Sequence, residues 1–263
     1  MLEQTIDAAR IWHHAAEPVQ GHLRLVGRFG QRVSGSTPRG AHCVHWQHPL
    51  LGGLVGGQIV HLSGADQHAN RALAVGLAVR ASRAGGVLYA TDEAKTDAVI
   101  EMALAVDSGA GLQYVRCVLS AAKYGIAGGN RIFSSPVSRN LFVSPDAGQD
   151  EENLVAQARR LAQRQAMAAV VVDVSDRSGA HAFRRWQRLA RELGCVVVLV
   201  GGDAPTAASH QLSLQPVIGR AGRFVLCHQA GGTQAIHIKV SLNASICRFR
   251  RLPVAGSSTR VSR

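Results

Sequence analysis

Short apolar runs alternate along the chain with longer segments in which apolar residues recur at helical spacing. The apolar runs predict buried strands at 58–63, 87–91, 141–144, 169–173 and 195–200. The segments between them predict helices at 69–84, 95–107, 150–166 and 179–193. Because helices join successive strands, the pattern indicates a mostly parallel sheet with helices on its faces.

The C-terminal part follows a different pattern, in which short apolar or alternating runs are separated by turn residues. Runs at 224–227 and 235–240 flank the turn sequence at 230–233, which predicts an antiparallel hairpin at the sheet edge. A last strand is expected within 246–252. Two segments rich in turn-forming residues, 120–140 and 201–222, are interpreted as long loops.

The first 47 residues carry only weak periodicity. A short helix is predicted at 4–16, and an irregular lead-in follows it. His and Cys residues cluster at 42–48 and could bind a transition metal, but no second ligand cluster follows, so a surface loop is favoured. The predicted organisation is a lead-in at 1–47, one domain at 48–252 and a basic disordered tail at 253–263.

Composition limits the class of protein. The chain has 263 residues, of which 46% are hydrophobic, so it can build one sizeable core. No apolar run approaches the roughly 18 residues of a membrane span, and residues 1–10 lack the apolar core of a secretion signal. The five cysteines are scattered without a Cys-x-x-Cys pair, which favours reduced thiols. We therefore expect a cytoplasmic location and no membrane partner.

The chain is strongly basic, with 29 Lys and Arg against 17 Asp and Glu and a formal net charge of +12. Such an excess favours a polyanionic partner, most simply nucleic acid, because neutralised phosphates release their counterions. The alternative is compositional, since a chain rich in Ala, Gly and Arg can result from GC-rich DNA. Charge bears on partners and not on fold.

A polar turn within 60–74 joins an apolar strand to a helix, which is the position of a phosphate loop in nucleotide-binding proteins. That loop needs Gly-x-x-x-x-Gly-Lys-Ser/Thr, because backbone N–H groups and a Lys ammonium surround the phosphates while a hydroxyl holds Mg²⁺. Gly64 fits the first position, but Ala69, Asn70 and Arg71 occupy the last three. The Arg71 guanidinium could contact phosphate from a displaced position. We interpret 64–71 as a degenerate phosphate loop (Walker A motif).

Several stretches in this order carry a resemblance to one family. They are the glycine-rich 52–60, the acidic pair 92–93, the helix and strand within 159–173, the next helix and strand at 188–197, and the late strand 236–239. Together they resemble the RecA-type ATPase core, and more closely the C-terminal motor domain of DnaB-type replicative helicases. The resemblance covers about residues 48–252. It implies an α/β, RecA-like P-loop NTPase core with an antiparallel C-terminal hairpin at the edge of a mostly parallel sheet.

For an active enzyme, the resemblance implies catalytic roles for Glu93, Asp173 and Lys239, with Asp173 holding Mg²⁺ beside bound ATP. The residues allow simpler interpretations. Asp173 could be a solvated acid at the end of a strand, which we favour, and Asp92 or Glu93 could cap the following helix.

The sequence departs from the family's motifs at three places, and these departures argue against an active ATPase motor. The phosphate loop lacks its Lys and hydroxyl, Ser241 stands where the family carries an arginine finger, and the segment at 201–205 lacks the family's Gln sensor. We therefore expect no cofactor, with ATP and Mg²⁺ required only by the alternative of an active ATPase.

Two basic sites are candidates for nucleic-acid binding. The first interleaves cations with aromatics, as single strands favour, and comprises Lys123, Tyr124, Arg131, Phe133 and Arg139. The second comprises Arg248, Arg250 and Arg251, with Arg260 and Arg263 in the tail. Aromatic anchoring of the loop and a solvated terminus are the respective alternatives. The arginine stripe on helix 179–193 is interpreted as a solvated or subunit-facing surface.

The leading hypothesis from the sequence is a RecA/DnaB-like pseudoenzyme. It would act as a DNA-associated or helicase-associated structural component in DNA replication, recombination or mobile-element maintenance. Its expected partners are single-stranded DNA or a helicase or recombination protein, in a homo- or hetero-oligomer. The alternatives are an active ATP-dependent helicase with an unconventional phosphate loop, and a protein-binding subunit of a ring or filament without DNA contact.

Overall fold

The computed structural model describes residues 24–25, 45–48, 50–123, 139–145, 151–173, 180–202, 208–231 and 233–253. Its strands are β1 (Arg24–Leu25), β2 (His45–His48), β3 (Gly52–Val55), β4 (Ile59–Gly64), β5 (Gly86–Thr91), β6 (Leu141–Ser144), β7 (Met167–Asp173), β8 (Val196–Val200), β9 (His210–Pro216), β10 (Arg223–Ala230), β11 (Ile236–Asn243) and β12 (Arg248–Arg251). Its helices are α1 (Gln67–Ala81), α2 (Glu93–Ser108), α3 (Leu112–Lys123), α4 (Glu151–Ala162) and α5 (Ala180–Leu193).

The strands form one large twisted sheet in the order β1-β6-β5-β7-β8-β4-β9-β10-β11-β12, while β2 and β3 form a separate hairpin. The six consecutive strands β6, β5, β7, β8, β4 and β9 run parallel to one another. Strands β10, β11 and β12 continue the sheet in antiparallel fashion, and β1 pairs antiparallel with β6. This is the predicted fold class, a mostly parallel sheet with an antiparallel C-terminal edge.

Two apolar layers cover the parallel strands. Helices α1, α2 and α3 pack on one face with Leu73, Leu77 and Leu104 among their buried residues. Helices α4 and α5 pack on the other face, where Leu154 and Trp186 are buried. Because both faces are covered, β5, β7 and β8 are buried along their whole length, which explains their unbroken apolar sequences.

The predicted strands and helices of the parallel part are confirmed, with ends shifted by a few residues. The predicted hairpin and last strand are also confirmed, as β10, β11 and β12. The predicted helix at 4–16 lies outside the described residues, as does the predicted tail beyond residue 253.

One interpretation as loop was wrong, and a second was wrong for the few of its residues that the structure describes. The segment 201–222 contains β9, in which buried and half-buried residues alternate because helices cover only one of its faces. Residues 120–123 belong to α3, while 124–138 lie outside the described part of the chain. The strands β1 and β2 fall within the predicted irregular lead-in, and backbone pairing ties them to β6 and β3.

Cysteine chemistry and helix length add two observations. Cys117, Cys195, Cys227 and Cys247 are free thiols, and burial raises the pKa of Cys195 to about 12. Within the ranges described above, none of the helices combines the length and apolarity that crossing a bilayer requires.

Candidate functional site

The carboxyl ends of the parallel strands bring the predicted site residues to one edge of the sheet. Gly64 ends β4, Thr91 ends β5 and Asp173 ends β7. Thr91 and Asp173 are direct neighbours across the β5–β7 pair. Open α/β sheets bind their ligands at this edge, so the predicted phosphate-loop and Mg²⁺ residues share the expected location.

The turn between β4 and α1 is short. Strand β4 ends at Gly64 and α1 begins at Gln67, so only Ala65 and Asp66 lie between them. The Asp66 carboxylate caps the helix by accepting a hydrogen bond of 2.9 Å from the backbone N–H of Ala69. A bound phosphate uses N–H groups at the start of such a helix, and here the chain's own carboxylate takes one of them.

Asn70, at the position predicted to match the phosphate-loop lysine, holds the turn closed. Its side-chain nitrogen donates a 2.9 Å hydrogen bond to the Gly64 carbonyl, and the residue is 4% exposed. Gly64 adopts a φ of 152°, and a Cβ there would lie 2.5 Å from the Leu214 carbonyl oxygen of β9. The turn is therefore packed against the neighbouring strand.

Arg71 and Asp173 form a buried ion pair. The Arg71 Nε donates to the Asp173 Oδ2 at 2.9 Å, with side chains that are 14% and 7% exposed. The Tyr89 hydroxyl donates to the same oxygen at 3.3 Å. The interpretation of Asp173 as a solvated strand-end acid was wrong, because a guanidinium from α1 reaches it and both side chains are largely buried.

Tyr89 is a neutral donor in this cluster. Complete burial raises the pKa of its phenol well above the ordinary value, and the negative charge of Asp173 raises it further, while Arg71 opposes the shift. The phenol therefore stays protonated and donates to Asp173. Tyr89 was not among the predicted site residues, since a tyrosine within an apolar strand is also an ordinary core residue.

The acidic pair at the start of α2 takes two different roles. Asp92 occupies the N-cap position, as one of the alternatives expected, but its side chain makes no capping hydrogen bond. Its carboxylate instead pairs with the Lys95 ammonium at 2.5 Å. Glu93 is exposed in the first turn of the helix, two residues beyond Thr91.

At the predicted phosphate loop, two polar side chains are engaged within the chain. The Asn70 amide, at the position predicted to match the loop lysine, is engaged with Gly64, and the Arg71 guanidinium, at the position predicted to match the loop hydroxyl, is engaged with Asp173. Among the described residues, no group of three or more His, Cys, Asp and Glu side chains is arranged to hold a metal ion. These hydrogen bonds join the β4–α1 turn to Gly64 and α1 to Asp173 at the sheet edge.

The structure does not bring together the three arginines predicted at the C-terminal strand. Arg248 donates to the carbonyls of Val106 and Asp107, and so caps the end of α2. Arg250 lies opposite Ser241, whereas Arg251 lies opposite the buried Val240. Because alternate residues of a strand point to opposite faces, Arg250 and Arg251 belong to different surfaces.

The other predicted nucleic-acid residues are only partly described. Lys123 ends α3, and Arg139 is exposed just before β6. Tyr124, Arg131 and Phe133 lie outside the described residues. The predicted arginine stripe on α5 is exposed at Arg184, Arg188 and Arg191. Lys239, the predicted catalytic lysine, is exposed on β11.

Comparison with solved structures identifies the fold. The ATPase domain of G40P is similar with a TM-score of 0.57 at 12% sequence identity, over 74% of this chain and 85% of that chain. A DnaB-like replicative helicase, solved in a study of its interactions with primase, is similar with a TM-score of 0.59 at 12% identity. That match covers 75% of this chain and 58% of the helicase chain, so the chain spans somewhat more than half of the helicase.

No protein-family model matches the sequence, and no curated protein matches it. At 12% identity the two likenesses concern the fold alone. The chain has a RecA-like fold of the type found in DnaB-like ATPase domains, as its sequence predicted.

Proposed function

We propose that this protein is a DnaB-like component that does not hydrolyse ATP and that serves DNA replication, recombination or mobile-element maintenance as a structural subunit. The likeness to DnaB-like ATPase domains supports the replication-related role. The observation that carries the proposed loss of activity is the buried Arg71–Asp173 ion pair. We expect the protein to act in the cytoplasm, in an oligomer with itself or with a helicase.

The ion pair bears on activity through charge. In a P-loop ATPase, an acid at the end of the strand and a hydroxyl in the first turn of the helix hold Mg²⁺ beside the phosphates. Here a guanidinium lies against the Asp173 oxygen, 2.9 Å away. A Mg²⁺ ion would have to approach this permanent cation in a poorly solvated site, where like charges repel strongly.

Displacement of Arg71 would remove this repulsion only at a cost in stability. If Arg71 swung away to admit a metal, the Asp173 carboxylate and the Arg71 guanidinium would each lose a buried partner. Separating such a pair costs several kcal/mol, roughly 3–5. The closed turn adds a second barrier, because Asn70 would also have to release the Gly64 carbonyl.

Phosphate release from Mg²⁺-ATP, measured with and without single-stranded DNA, tests the proposal. We expect a rate equal to that of the protein-free blank, and the same rate for Glu93→Gln. Glu93 is the informative position because it is exposed, so the substitution leaves the fold intact, within about 0.5 kcal/mol. Turnover above the blank that Glu93→Gln abolishes would establish the alternative, an active ATPase with an unconventional phosphate loop.

A further inference from the structure

The last 60 residues of the chain contain cations without acids. Residues 204–263 hold no Asp or Glu. They hold eight basic residues, namely Arg220, Arg223, Lys239, Arg248, Arg250, Arg251, Arg260 and Arg263. Most of the net charge of +12 therefore comes from the segment that forms β9 to β12 and the residues after it.

The antiparallel strands have one covered and one open face. Leu214, Leu226 and Val240 point into the core beneath α1 and α2. The residues that alternate with such core positions form what we call the open face. Its exposed members are Gln215, Arg223, Gln229, His237, Lys239 and Arg250, and its half-buried members include Ser213, Val225, Cys227 and Ser241. On that side of the sheet, the described core cluster beneath α4 and α5 includes no residue of β10, β11 or β12.

The three cations of the open face lie close together because of strand register. Arg223 pairs with Ser241 on β11, and Ser241 pairs with Arg250 on β12. Arg223 and Arg250 therefore lie in one row across three adjacent strands, on either side of Ser241. Two strand spacings place the Cα atoms of Arg223 and Arg250 about 10 Å apart. Lys239 precedes Ser241 by two residues and so lies about 7 Å along β11 on the same face.

These cations are uncompensated within the described part of the chain. Arg71, Arg83, Lys95, Arg116, Arg159 and Arg185 each form an ion pair there. Arg223, Lys239 and Arg250 form no ion pair with a described carboxylate. Ser241 lies opposite both arginines, and Val225 lies opposite Lys239. A compact group of cations without described acidic partners is complementary to a phosphate backbone.

We propose that the open face binds the backbone of single-stranded DNA. Arg223, Lys239 and Arg250 neutralise phosphates, and the exposed ring of His237 offers a base a stacking partner. Among the described residues, no helix or ribbon projects from this face to enter a duplex groove, which favours a single strand. The choice of DNA among polyanions rests on the proposed replication-related function.

The test is a fluorescence-anisotropy titration of a labelled oligothymidylate of about 16 nucleotides. The triple variant Arg223→Ala, Lys239→Ala, Arg250→Ala should lose at least about tenfold in affinity at about 50 mM salt. Between about 50 and about 200 mM salt, its log–log salt slope should be shallower by about 2, since each phosphate contact on a single strand contributes about 0.7.

The matched control also removes three positive charges, but from a different exposed surface. Arg184→Ala, Arg188→Ala, Arg191→Ala on α5 should change the affinity by less than about threefold. Thermal melting of both variants checks that these exposed substitutions leave the fold intact. Duplex DNA of the same length should bind more weakly than the single strand.

Three results would overturn the inference. Equal weakening by both triple variants would mean that net charge governs binding. Duplex binding as tight as that of the single strand would remove the proposed strand preference. Absence of binding by the unmodified protein at about 50 mM salt would favour a protein-binding subunit without DNA contact. None of these results bears on ATP hydrolysis, so they leave the proposed loss of activity to its own assay.

Discussion

Replacement of Arg71 by alanine is expected to lower the free energy of unfolding by about 3–5 kcal/mol. The Arg71 and Asp173 side chains are 14% and 7% exposed, so the substitution removes the charged partner of a carboxylate in a poorly solvated site. The Asp173 carboxylate would then remain buried with only the Tyr89 hydroxyl as a described partner. Urea unfolding near pH 7 measures the loss. A change below about 1 kcal/mol, typical of exposed ion pairs, would show that the two charges remain solvated.

A double-mutant cycle separates the ion pair from the packing of the two side chains. Asp173→Asn alone leaves the guanidinium unpaired and should also destabilise. The double variant Arg71→Ala, Asp173→Asn should lose less than the sum of the single losses, with a coupling free energy of about 1–3 kcal/mol. Arg188→Ala on the exposed face of α5 is the control, and its effect should stay within about 0.5 kcal/mol. Additive losses at positions 71 and 173 would contradict the pairing.

Alanine at Gly64 is expected to destabilise the protein by about 3 kcal/mol, because it combines backbone strain with overpacking. The added Cβ would lie 2.5 Å from the Leu214 carbonyl oxygen and 2.8 Å from the Asn70 Oδ1. The φ of 152° at this position is one that residues with a Cβ rarely adopt. The carbonyl belongs to the backbone of β9, so the clash cannot be relieved by a side-chain rotation.

The same substitution at Gly76 provides the control with the opposite sign. Gly76 lies within α1, and a Cβ added there meets no atom within 4 Å. Alanine should therefore stabilise the helix, by about 0.5–1 kcal/mol. Both variants are compared by urea unfolding. Equal effects at positions 64 and 76 would show that the β4–α1 turn is not packed against β9 as described.

The parallel core was predictable from sequence because its signals are local. Strands covered on both faces read as continuous apolar runs, and β7 and β8 were recognised in this way. Strand β9 was missed because one of its faces is open, so Gln and Ser alternate with its buried residues. Its neighbours in sequence, rich in turn-forming residues, then favoured a loop.

The chemistry of the site was less predictable, since it depends on partners that are distant in sequence. The missing phosphate-loop residues were visible in the sequence, but the pairing of Arg71 with Asp173 spans 102 positions and arises only when α1 packs beside β7. Strand register had a similar effect at the C-terminus, where Arg250 and Arg251 are adjacent in sequence but separated by the sheet. Arg223 joins Arg250 only through Ser241. The absence of acids after Asp203 was a signal in the sequence that could have indicated this region.

Calorimetric titration of the protein with ATP in the presence of Mg²⁺ tests most directly whether the sheet edge admits a nucleotide. The buried pair of Arg71 and Asp173 and the closed turn at Gly64 predict no saturable heat up to about 1 mM ATP, with or without the metal. Micromolar binding that requires Mg²⁺ and disappears in Asp173→Asn would contradict the account.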